Sequence, residues 1–180
     1  MSLSDADMLQ SLLSAKTSRE KLRCQEWFTA NGERFDYLMR LVLYDQNWRI
    51  CQAAVPVLEH VARTKALLLE SWWPDMIEVL EKKDQVPARR RNLTRTLQFA
   101  HIPRAYLGRI VDWCFRWIAD PQEAVAVRVF SMTVVYNATL REPDLSEELR
   151  IILEEHLPYG TAGFRSRGQK ILQQLSKLDT

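Results

Sequence analysis

A chain of 180 residues, 47% of them apolar, is long enough for one domain with a sizeable core and short for two, so residues 1–180 are expected to form a single domain. With 25 basic against 23 acidic residues the formal charge is +2, which excludes a global electrostatic attraction to nucleic acid or an anionic membrane; any basic function must be local. No apolar run reaches the ~18 residues that span a bilayer, the start MSLSDADMLQ is acidic where a signal peptide is basic, and the three scattered cysteines, Cys24, Cys51 and Cys114, fit reduced core thiols. A cytoplasmic location is therefore expected.

Thr17-Ser18-Arg19-Glu20 reads as a capping box that starts a helix. That helix should stop at Asn31-Gly32, with the glycine in a left-handed cap, so that residues 1–31 form N-terminal capping helices and 33–178 the repeats. Glu33 to Tyr44 places Phe35, Leu38, Leu41 and Val42 on one stripe. After Asp45-Gln46-Asn47 a further helix runs through Ala53, Ala54, Val57, Leu58 and Val61, with Pro56 expected to bend it. The same hairpin can be read three more times. Ala66 to Lys83, interrupted near Pro74, precedes Ala88 to Ala100 across Asp84-Gln85-Val86-Pro87; Ala105 to Ala119 precedes a helix capped by Asp120-Pro121-Gln122-Glu123; the last pair runs from Asp144 to Leu178 with its turn at Pro158 to Gly163. No segment alternates at period two, so the expected class is all-α.

An arginine-marked segment recurs through these hairpins. NWRICQAAVPVLEHV carries Arg49, VPARRRNLTRTLQFA Arg90, EAVAVRVFSMTVVYN Arg128 and AGFRSRGQKILQQLS Arg167, at steps of 41, 38 and 39 residues. Such spacing is that of helical repeats stacked neighbour on neighbour. Together with the turn aspartates Asp45, Asp84 and Asp120, the pattern resembles HEAT repeats, and the resemblance implies an α-solenoid of about four hairpins. It also implies a ladder between each turn aspartate and the arginine after it, here 4, 6 and 8 residues on (Arg49, Arg90 and Arg128). Residues 50 to 178, with VPVLEHV, IVDWCFRWIADPQEAVAVRVFSMTVVYN and ELRIILEEHLPYGTAGFRSRGQKILQQL, are similar to short bacterial HEAT-like proteins, some of which carry the name adenylosuccinate lyase. That superfamily has far longer chains and a GSSxMPxKxNP loop, which this sequence lacks, so the likeness implies fold and not lyase activity.

Candidate chemistry is sparse. Gly163 to Lys170 has Gly-x4-Gly spacing but lacks the Lys-Ser/Thr pair and preceding strand of a phosphate loop; glycines between helices serve close packing instead. His60, His101 and His156 form no zinc-binding pair, and the first two fall near helix ends, where an imidazolium suits the dipole. Trp113 and Trp117 share a helix face with Tyr106 and Ile110, beside the i,i+4 pair Asp112 and Arg116, and a helix apolar most of the way round belongs in a core. In HEAT-like DNA alkylation repair glycosylases, aromatic side chains and an aspartate hold a cationic lesion, which makes an aromatic cradle the sharper alternative.

The basic cluster is the feature least accounted for by packing. Arg89, Arg90 and Arg91 fan over most of a helix circumference, and Arg91 and Arg95 repeat on one face away from Leu93 and Leu97. If equivalent second helices line one side, Arg49, Arg128, Arg165, Arg167 and Lys170 join Arg91 and Arg95 as candidate partner-binding residues; paired ladder arginines are the alternative. Arginine suits planar contacts to carboxylate or phosphate. The expected function is a non-catalytic scaffold that binds a protein partner on its concave face, with no cofactor, metal or membrane. The alternative is a nucleic-acid-binding or glycosylase-like protein that uses the same arginines on phosphates.

Overall fold

Ser4 opens the first helix: its hydroxyl accepts the Asp7 amide and the Asp7 carboxylate returns to the Ser4 amide, so that α1 spans Asp5–Ser14. The computed structural model describes residues 4–82 and 87–178, which fall into two compact units, 1–101 and 102–180. Among the described residues there is no strand.

In the first unit the Thr17–Glu20 box forms as expected and starts α2, Ser18–Phe28. Gly32 departs from expectation. It is the first residue of α3, Gly32–Tyr44, and no described residue has a positive φ, because the Asn31 side chain takes the Arg34 amide at 3.0 Å and makes this point a start and not a left-handed stop. Asn47 caps α4, Trp48–Thr64, which continues through Pro56. A 3-10 segment, Ala66–Trp72, leads into α5, Trp73–Glu81, where Pro74 sits in the first turn and so begins this helix. The turn residues Asp84, Gln85 and Val86 lie outside the described residues; α6 follows over Pro87–Leu97. Helices α1, α2, α3 and α6 all pack on α4. Phe28, Phe35, Leu38, Leu58, Val61, Leu93 and Leu97 fill the space between them. Two cross-links tie α3 to the next hairpin: Trp72 Nε1 donates to Asp36 at 2.7 Å, and the Tyr44 hydroxyl donates to Asp75.

The second unit comprises α7 (Arg104–Ala119), α8 (Val125–Thr139), α9 (Leu145–His156) and α10 (Ala162–Leu175). Helix α8 packs on α7, α9 and α10, around Val111, Cys114, Ile118, Val134, Leu149, Leu153 and Ile171. Phe130 is half-buried, on the flank of the stripe formed by Val127, Ser131, Val134 and Ala138. Asp120 does not cap α8 as expected. Its carboxylate takes the Gln122 amide at 2.8 Å in a local turn, and α8 begins at Val125 with no side-chain cap. Gly168 lies where α10 meets the segment after α9: a Cβ there would stand 3.0 Å from Leu157 Cδ2, so the missing side chain sets the approach of the two segments.

Candidate partner-binding face

The consecutive arginines of α6 separate by their angle around the helix. Arg89 shares a stripe with Leu93 and Leu97 and is buried; its Nε donates to the Val42 carbonyl at 2.9 Å and Nη2 to the Asp45 carbonyl, at the C-terminal end of α3. A cation there satisfies carbonyls that have no intrahelical partner and meets the negative end of the dipole. Arg91 and Arg95, one turn apart, lie half-buried and reach across to α4, Arg91 Nη2 donating to Gln52 Oε1 and Arg95 Nε to Glu59 Oε1. The Arg95 side chain remains 43% exposed, so Glu59 holds it without hiding it. Arg49, in the first turn of α4, is exposed. Arg49 and Arg95 line one groove of about 500 Å³ with Lys21, Trp48 and Gln52, over a floor that includes Leu12 and Pro56.

In the second unit Arg128 is buried, 7% exposed, and donates from Nε and Nη2 to the Ile118 carbonyl at 3.0 and 2.8 Å. Burial holds its pKa below the ordinary guanidinium range, opposed by the nearby Asp120 charge. Its donors are thus engaged inside the fold. Arg165 and Lys170 are exposed on α10, Arg165 Nη1 reaching the Gly160 carbonyl at 2.9 Å; Arg167 is half-buried and donates to Thr133 Oγ1 of α8 at 2.8 Å. Trp113 and Trp117 stack with ring centroids 6.3 Å apart, half-buried, while Leu107, Ile110, Val111, Cys114 and Ile118 of the same helix are buried. Asp112 pairs with Arg116 at 2.6 Å on the exposed side.

The titratable groups fit structural roles. Burial pushes the Cys114 thiol up to about 12 and raises Cys51 and Cys24 as well, so all three are held as neutral thiols of low nucleophilicity. Tyr44 is pushed up to about 12 by burial and by its bond to Asp75. Among the described residues no cluster of His, Cys, Asp and Glu has the geometry to hold a metal ion.

The match to known proteins is decided by the whole chain, since the HEAT repeat domain model aligns with residues 8–175. The chain belongs to the HEAT repeat domain family. Its fold class is the all-α helical repeat of the α-solenoid kind, and HEAT repeat domains are scaffolds that typically mediate protein interactions. No curated protein and no solved structure matches it. No helix among the described residues is long and apolar enough to cross a membrane.

The HEAT ladder implied by the sequence takes a different form here. Asp45 receives Arg89 at its backbone carbonyl while its carboxylate takes the Asn47 amide at 2.7 Å; Arg128 likewise chooses the Ile118 carbonyl, and Asp84 lies outside the described residues. The arginine of the second hairpin that repeats the role of Arg128 is thus Arg89, not Arg90. Its i,i+4,i+8 alignment with Leu93 and Leu97 was the available signal. Lys21 and Trp48 were also missed as groove residues, because nothing local in the sequence brings α2 beside the start of α4.

Proposed function

We propose that residues 1–180 act as a non-catalytic HEAT scaffold whose second-helix arginines bind a protein partner. The observation that carries this reading is the presentation of Arg91 and Arg95 from α6 across α4: Gln52 and Asn92 orient the half-buried Arg91, and Glu59 orients Arg95, whose side chain remains 43% exposed, beside the exposed Arg49. A planar cation positioned in advance loses less side-chain entropy when a carboxylate of a partner arrives. Arg165, Arg167 and Lys170 are the corresponding candidates on α10, and Arg128 contributes by holding α8 in place.

The deciding experiment replaces Arg91 and Arg95 together by alanine. The melting temperature should stay close to that of the parent, because partly exposed side chains typically change stability by about 0.5 kcal/mol or less, while affinity for an acidic partner falls. A lower melting temperature with unchanged binding per folded molecule would make the two arginines helix cross-links and remove the binding face. A duplex oligonucleotide bound with a log–log salt slope that flattens by about 0.9 per lost phosphate contact would instead support the nucleic-acid alternative.

A further inference from the structure

We infer that the groove between α1, α2 and α4, where Lys21, Arg49 and Arg95 surround the exposed ring of Trp48 above an apolar floor, is the docking site for an acidic peptide segment of the partner with an apolar anchor residue. This deepens the scaffold reading and rests on it.

Charge selects the first property of the occupant. The groove of about 500 Å³ is lined by three cations and by no carboxylate; Glu59, beneath, neutralises Arg95 alone, and no ion pair joins Lys21 or Arg49 to a described residue. Two positive charges are therefore left for a ligand, at the mouth of a concavity whose apolar walls strengthen their field. The apolar surface selects the second. Trp48 is 51% exposed although the core of this unit is otherwise well filled with large side chains, and the floor beside it is Leu12, Leu13 and Pro56. An aromatic ring standing free beside an apolar floor is the arrangement that anchors an inserted side chain at protein interfaces.

A peptide fits these features better than a nucleic acid. The cavity falls within the ~300–1,000 Å³ of pockets that enclose a small ligand or a few side chains. A duplex requires cations spaced along its phosphates, and here one of three is already held by Glu59.

The test selects phage-displayed random nonapeptides on the immobilised full chain and measures the enriched peptide, fluorescein-labelled, by anisotropy. Enriched sequences should carry two or more carboxylates flanking a leucine, phenylalanine or tryptophan. Binding should weaken at least tenfold in Trp48→Ala and in the double variant Lys21→Glu/Arg49→Glu. The double variant exchanges only exposed charges and should melt like the parent; a variant that melts early is replaced by Lys21→Gln/Arg49→Gln. Neutral or basic consensus sequences, or acidic peptides that bind the groove variants as tightly as the parent, overturn the groove. If such peptides are lost only in Arg91→Ala/Arg95→Ala, the scaffold reading survives without it. No enrichment of any peptide overturns both. A 20-base-pair duplex bound more tightly than the peptides, and released by Lys21→Glu/Arg49→Glu, assigns the groove to nucleic acid instead.

Discussion

The guanidinium of Arg128 lies over the face of Phe164, 4.2 Å from the ring centroid, while two of its nitrogens hold the Ile118 carbonyl. One side chain of α8 thereby fixes the end of α7 and the start of α10. A buried cation is costly unless its donors and its flat face are both engaged, and here they are.

Arg128→Ala should therefore destabilise the protein by about 3–5 kcal/mol, since hydrogen bonds to a charged donor contribute roughly 1.5–3 kcal/mol and a desolvated cation–π contact about 2. Arg128→Lys should recover only part of this, because a single ammonium cannot place two donors on one carbonyl and also lie flat on the ring. Urea unfolding of both variants reads the difference. A parent-like midpoint for the alanine variant would refute the account.

Leu97, 1% exposed on the inner stripe of α6, makes a second point of attack. Leu97→Ala should cost roughly 2–5 kcal/mol, as expected for a leucine truncated in a packed core. Thermal unfolding checks it, and unchanged melting would mean that the stripe of Arg89, Leu93 and Leu97 does not face α4.

What the sequence made legible was what neighbouring residues decide. The Thr17–Glu20 box, the apolar stripe of α3 and the all-α class were all readable, because caps and 3.6-residue periodicity act over one or two turns. Competition between two plausible local structures was not. Asp120 could cap a helix or close a turn, and the turn won; Asn31 and Gly32 could end a helix or begin one, and the cap on Arg34 decided it. The candidate site was readable only in part. Arg91 and Arg95 share a face by arithmetic, but the groove of Lys21, Arg49 and Trp48 exists because α1 and α2 pack on α4, a contact between distant residues that no local signal encodes.

Gly168 offers a test of close packing. With a Cβ contact already at 3.0 Å to Leu157, Gly168→Val adds two further methyl groups where α10 approaches Leu153 and Leu157, and should destabilise by about 1–3 kcal/mol through overpacking despite the gain in helix propensity. Gly163→Val on the same helix, where a Cβ would meet nothing within 4 Å, is the matched control. Equal midpoints for the two variants would sink the argument.

Cys114 links burial to pH. Its thiol has an ordinary value of 9.0 in the unfolded chain and is pushed up to about 12 by burial in the fold. Below pH 9 both states keep the proton and the thiol has no effect on stability's pH dependence. Above it the unfolded state releases a proton that the folded state retains, so stability falls as pH rises from 9 toward about 12. Cys114→Ala should make that decline shallower in denaturation measured at a series of alkaline pH values. The same burial predicts that iodoacetamide at pH 8 leaves Cys114 unmodified in the native chain and labels it in urea, followed by mass spectrometry. Rapid native labelling of Cys114, or an alkaline slope unchanged by its removal, would show that the thiol is not held inside the α7–α8 core.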